Sequence, residues 1–145
     1  MTARRTHVDP LRPDAAAAAE PCYECPFRTT NEEKQLTFEV DGVNEFARIW
    51  WGLSREGRTY GCHMARRECA GSVEMIASEL RKLQKYMTWD QYYVANPLGL
   101  AEALIPRFLD RVRGRGAAKV QVSDPQKIIL RILKAKTSNH NESDN

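Results

Sequence analysis

The four cysteines of this 145-residue chain fall into two local groups, Cys22-x2-Cys25 and Cys62-x6-Cys69, with none left over. Two thiolates at two-residue spacing can bite one ion, because a tight turn brings both sulfurs to the same side. Two such halves complete a tetrahedral site. Pro21 and Pro26 bracket the first pair and stiffen its turn. His63 follows Cys62 directly and stands in reserve, giving a Cys3His site if one cysteine lies too far away. Nothing marks the chain as secreted, so paired thiols point to a metal rather than to disulfides. Zinc (Zn2+) is the expected occupant. A [4Fe–4S] cluster is the alternative, since Cys-x2-Cys-Pro sequences also surround clusters. A thioredoxin-like redox pair at Cys22 and Cys25 lacks the βαβ pattern that would surround it.

The elements that must position these thiols are mostly helical. Gln35-Leu36-Thr37-Phe38-Glu39-Val40 alternates polar and apolar, which predicts a short strand, and Asp41-Gly42 then turns the chain. Asn44 is a suitable N-cap for an amphipathic helix carrying Phe46, Ala47 and Trp50, with Gly52 and Gly57 punctuating its end. The clearest helix follows Gly71, with Ser72 as cap and Val73, Ile76, Ala77, Leu80, Leu83 and Met87 on its apolar face. Cys69 thus precedes a helix whose N-terminal partial charge favours a thiolate. Pro106 should start a new helix or kink one, and Gly114-Arg115-Gly116 breaks the chain. Ser123-Asp124-Pro125 opens a last helix faced by Ile128, Ile129, Ile132 and Leu133. Trp50 and Trp51 are expected in the core, and Trp89, Tyr92 and Tyr93 in ordinary packing rather than base stacking.

The fold class that results is mainly α with a short β element, a small single domain organised around the four-cysteine site. Residues 1–20 are expected as a disordered arm, 21–136 as the domain, and 137–145 as a disordered polar tail.

Charge is unevenly spread. Residues 1–80 hold ten Lys/Arg against thirteen Asp/Glu, whereas residues 81–136 hold twelve against four. A basic C-terminal half suits nucleic acid or an acidic protein partner, and Arg111, Arg113, Arg115, Lys127, Arg131 and Lys134 are the candidate contacts. No segment has the roughly 18 apolar residues of a membrane span. The basic start at Met1 is followed by no apolar core, and the alanines at 15–19 are bounded by Asp14 and Glu20, so a cytoplasmic protein is expected. No Ser/His/Asp set, phosphate loop, dinucleotide fingerprint or carboxylate pair gives an enzymatic reading anything to stand on.

Pro21-Cys22-x2-Cys25-Pro26-Phe27-Arg28, followed by Tyr60-x-Cys62-His63-x5-Cys69-Ala70-Gly71, resembles a domain-of-unknown-function family of actinobacteria and their phages. Asn96-Pro97-Leu98-Gly99-Leu100 is similar to that family's downstream element. The resemblance covers about residues 21–105. It implies a small cytoplasmic protein, bacterial or phage-encoded, with Cys22, Cys25, Cys62 and Cys69 as a set, and it implies no activity. The resulting expectation is a small metal-stabilised binding or regulatory protein that contacts its partner through the basic half. An iron–sulfur redox or sensor protein using the same cysteines is the alternative.

Overall fold

In the computed structural model, which describes residues 25–61, 69–116 and 119–143 (138–143 by backbone alone), Asp41 and Gly42 both take positive φ, 54° and 80°. A two-residue type I′ hairpin turn demands that pair of angles, and Asp-Gly supplies them readily. The turn joins β1 (Glu39–Val40) to β2 (Val43–Asn44) as an antiparallel hairpin with Val40 opposite Val43. Asn44 then caps α2 (Glu45–Trp51) as its type predicts, its Oδ1 accepting the Ala47 amide at 3.0 Å. Its Nδ2 reaches back to the Gln35 carbonyl at 2.9 Å.

The described chain is a small, mainly helical domain with this one two-stranded sheet. The other helices are α1 (Glu32–Thr37), α3 (Ala70–Leu83), α4 (Trp89–Ala95), α5 (Ile105–Val112) and α6 (Pro125–Ser143); α1 and α6 pack on α2 and on each other, and α3 packs on α5. Among the described residues no helix is long and apolar enough to cross a membrane. Trp50 and Leu53 from the α2 region, Met75 and Ile76 from α3, Phe108 from α5 and Ile128 from α6 meet in one buried cluster. Trp50 also donates its indole N–H to the Leu98 carbonyl at 2.7 Å, so the core tryptophan leaves no orphan donor. Pro106 lies in the first turn of α5, where its missing N–H costs nothing. Pro125 opens α6, and Asp124 Oδ1 accepts the Gln126 amide at 3.0 Å.

Several expectations are corrected. The 35–40 stretch is mostly helix, with only Glu39–Val40 extended. Six residues of alternation also fit a helical turn, and Gln35 decides between the two. It is fully buried, donating to Ser123 Oγ at 3.1 Å and to the Pro26 carbonyl, while Val40 is 47% exposed. The α3 helix begins at Ala70, so Cys69 and not Ser72 is its N-cap; Ser72 donates its hydroxyl to the Cys69 carbonyl at 2.8 Å from within the first turn. That helix stops at Leu83, leaving Met87 91% exposed. The α2 helix runs on through one π-turn, Gly52–Glu56, and ends at Gly57 with φ 73°. Trp51 is no core residue: it is 57% exposed, with the Arg55 guanidinium 5.7 Å from its ring. Cys22, Cys62, His63 and the arm at 1–20 lie outside the described residues.

Candidate metal centre

Each described cysteine arrives on a separately fixed piece of backbone. Cys25 heads a tight turn: the Arg28 amide bonds the Cys25 carbonyl at 3.3 Å with Pro26 in the second position, a placement its fixed φ favours. Asn31 Nδ2 adds a 2.7 Å bond to the same carbonyl. The segment before α6 pins the turn from outside, with the Ser123 amide on the Phe27 carbonyl at 2.8 Å and the Thr29 amide on the Gln121 carbonyl at 3.1 Å. Cys69 is held by its own amide, which bonds the Tyr60 carbonyl at 2.8 Å, and by its place as N-cap of α3.

These supports bring the two sulfurs to 3.8 Å, although 44 positions separate the residues. Both thiols are buried and unbridged. Two thiolates on one tetrahedral ion with bonds of about 2.3 Å stand about 3.8 Å apart, whereas a disulfide needs about 2 Å. One cysteine from each group is therefore at the spacing that a shared ion requires.

The electrostatics fit the same chemistry. The hydrogen bond shared with Cys69 is the chief cause that brings the Cys25 thiol down to about 7. Burial opposes that shift, while the Phe27 and Gly71 amides and the Arg28 guanidinium assist it. The same shared proton, together with burial, pushes Cys69 well up, against the pull of the Ser72 and Gly71 amides. The pair thus keeps one loosely and one tightly held proton, and a thiophilic cation would displace both.

Gly71 and Phe27 complete the pocket, and their roles are not readable from composition or period. A Cβ on Gly71 would lie 2.3 Å from Cys25 Sγ and 2.9 Å from the Phe27 side chain, so only glycine permits the approach. Phe27, itself fully buried, meets the Tyr60 ring edge-on at 5.6 Å and the Phe46 ring at 5.7 Å. Burial, with the neighbouring cysteines and Glu45 adding to it, pushes the Tyr60 phenol up to about 12.

Among the described residues no group of three or more His, Cys, Asp or Glu side chains gathers, so the full four-cysteine set is not assembled within them. No protein-family model, curated protein or solved structure matches the chain. The local geometry has to carry the functional reading.

The six basic candidates divide between two places. On α5 and the loop after it, Arg111 stacks 5.9 Å from the Phe108 ring, Arg113 lies 3.6 Å from Asp110, and Arg115 lies 3.9 Å from the buried Glu74. On α6, Lys127, Arg131 and Lys134 share a face at four- and three-residue steps. Arg131, the middle one, pairs with Glu32 at 3.8 Å and Glu33 at 3.5 Å, while Lys127 and Lys134 are exposed. Part of the C-terminal positive charge therefore answers the acidic N-terminal half within the fold.

A second polar cluster escaped the sequence reading because its members are far apart in the chain. The fully buried Glu79 carboxylate accepts from Tyr92 Oη at 2.6 Å, from Gln126 Nε2 at 2.9 Å and from Lys82 Nζ at 3.4 Å. Tyr92 Oη also accepts the Leu100 amide at 3.1 Å. A Cβ on Gly99 would come within 2.2 Å of that hydroxyl, which explains the glycine. The cluster fastens α3 to α4 and α6, and each member has its partners.

Proposed function

We propose that this chain is a small thiolate–metal protein in which a structural zinc ion ties the Cys25 turn to the Cys69 helix, and that its basic half meets an acidic partner. The observation that carries the reading is the 3.8 Å separation of two buried, unbridged sulfurs from the two cysteine groups. The other two ligands would be Cys22 and Cys62. Cys22 is three residues from Cys25, and Cys62 is two residues beyond Tyr60, whose carbonyl holds the Cys69 amide. Those tethers span at most about 10 Å and 7 Å, within reach of one ion. His63 is the replacement should either fall short.

The separation also favours a single ion over a [4Fe–4S] cluster. In a cluster each cysteine takes its own iron corner, which spreads the sulfurs further than two ligands of one ion. Burial of both thiols suits a closed structural site rather than a catalytic one with an open position. A reducing cytoplasm would keep the thiolates available, and the family resemblance implies the same four residues.

The test is metal analysis with an absorption spectrum of anaerobically purified protein. Colourless protein with stoichiometric zinc supports the proposal, and brown protein with iron and sulfide refutes it in favour of the cluster. Nucleic acid is the other form of acidic partner. A titration of labelled duplex at two salt concentrations tests it, the log-affinity slope being about −0.9 per phosphate neutralised.

A further inference from the structure

Cys-x2-Cys spacing offers Cys22 as the redox partner of Cys25. The fold turns Cys25 elsewhere. Its sulfur lies against the first turn of α3, where a Cβ on Gly71 would come within 2.3 Å of it, and it stands 3.8 Å from the sulfur of Cys69. Both thiols are unbridged and buried. A disulfide needs the sulfurs at about 2 Å, so each has to move by roughly 0.9 Å. Turned toward each other, the two side chains achieve that with rotations of about 30° at χ1, within the spread of a staggered well. The backbone need not shift: the Arg28 amide keeps the Cys25 carbonyl and the Cys69 amide keeps the Tyr60 carbonyl. The new bond would close a loop across 44 positions that contains α1, the hairpin and α2.

We propose, resting on the zinc reading for the ion that is lost, that hydrogen peroxide converts the Cys25–Cys69 pair into a disulfide that releases the metal and keeps the fold. Because both sulfurs are buried, the oxidant has to be small, and hydrogen peroxide is little larger than water. One thiolate attacks a peroxide oxygen; the O–O bond breaks, the sulfur becomes a sulfenic acid and hydroxide leaves. The other thiolate attacks that sulfur; the S–S bond forms, the S–O bond breaks and a second hydroxide leaves. The two sulfurs lose two electrons and the peroxide gains them. Each hydroxide becomes water by taking a proton, a former thiol proton in the metal-free chain and a solvent proton in the zinc form. The ion, stripped of these two thiolates, no longer has a closed four-ligand site. The disulfide then joins the Cys25 turn to the start of α3 as the ion did, and a cross-link over so long a loop restricts the unfolded chain strongly. A Cys22–Cys25 bond spans three positions and cannot replace that tie.

The experiment treats the purified full chain with hydrogen peroxide beside a chromogenic zinc chelator, alkylates the remaining thiols and maps the cross-links by peptide mass spectrometry. Two of the four thiols should be lost per chain, with one zinc ion passing to the chelator for each pair. Cys25–Cys69 should be the main cross-link. The oxidised, metal-free chain should unfold about 5 °C or more above the reduced chain stripped of metal. Four intact thiols, a main cross-link at Cys22–Cys25 or Cys62–Cys69, or an oxidised chain no more stable than the reduced metal-free one overturns the proposal. The zinc reading is judged separately by the metal content before oxidation. A chain that holds no zinc yet forms the Cys25–Cys69 bond upholds the disulfide and removes the zinc reading, whereas a zinc-loaded chain that cross-links within its cysteine groups does the reverse.

Discussion

Gly71 lies so close to Cys25 that a Cβ on it would stand 2.3 Å from the sulfur. The first turn of α3 and the Cys25 turn are thus in direct contact through a residue without a side chain. Alanine in place of a helical glycine ordinarily stabilises by about 0.5–1 kcal/mol. Here the clash with sulfur and with Phe27 should win. Gly71→Ala is expected to destabilise the fold by about 2–3 kcal/mol, in the range of overpacked cores, and to weaken metal retention. Urea unfolding with metal analysis checks both. A stabilised variant with full metal would refute the close approach.

Cys25→Ser and Cys69→Ser should lose metal and stability together. Structural zinc contributes on the order of 10 kcal/mol to folding, and the ion would be a tie between the two cysteine groups. A fall in unfolding temperature of about 10 °C or more is expected. Variants that lose the metal yet unfold at the wild-type temperature would make the ion functional rather than structural.

Tyr92→Phe removes a hydroxyl that donates to Glu79 Oε1 at 2.6 Å and accepts the Leu100 amide at 3.1 Å. The buried carboxylate keeps Gln126 and Lys82, but the Leu100 amide loses its partner. A loss of about 2 kcal/mol is expected, typical of a buried group left unsatisfied. An unchanged urea midpoint would show that the hydroxyl bonds contribute nothing net.

Alkaline pH should unfold the protein through its tyrosines. Burial, chiefly, pushes Tyr60 from 10.0 up to about 12, and burial with the Glu79 hydrogen bond pushes Tyr92 up further. Both phenols hold their protons more tightly folded than unfolded. The stability they contribute is fully present below pH about 10 and is lost as pH rises from there through the folded values. Each adds a slope of about 1.4 kcal/mol per pH unit in that window. Urea midpoints across the window should fall, and the fall should be shallower in Tyr92→Phe. A flat profile would contradict the buried, neutral phenols.

The local signals were legible. Asp41-Gly42, the Asn44 cap, Pro106 in a first turn and Asp124-Pro125 at a helix start each act within four residues, so type and spacing suffice. What was not legible depends on tertiary partners. Gln35 is helical because Ser123 and Pro26 receive its side chain, and no period within 35–40 contains that information. Ser72 looked like a cap, yet Cys69 took the position because its amide is fixed by Tyr60. Trp51 follows a core tryptophan but points away from it, since consecutive helical residues face different sides. At the candidate site, spacing marked two cysteine groups, while the approach of Cys25 to Cys69 across 44 positions is a tertiary contact that spacing does not contain. The fit of Gly71 under Cys25, and the basic residues that turn inward to Glu32, Glu33 and Glu74, were not legible either.

X-ray absorption at the metal edge of the purified full chain, with metal content per chain measured on the same sample, tests the thiolate–metal site most directly. One zinc ion per chain is expected, with a shell of four sulfurs at about 2.3 Å, or three sulfurs and one nitrogen if His63 substitutes. A folded protein with no metal, or a metal without a sulfur shell, would contradict it.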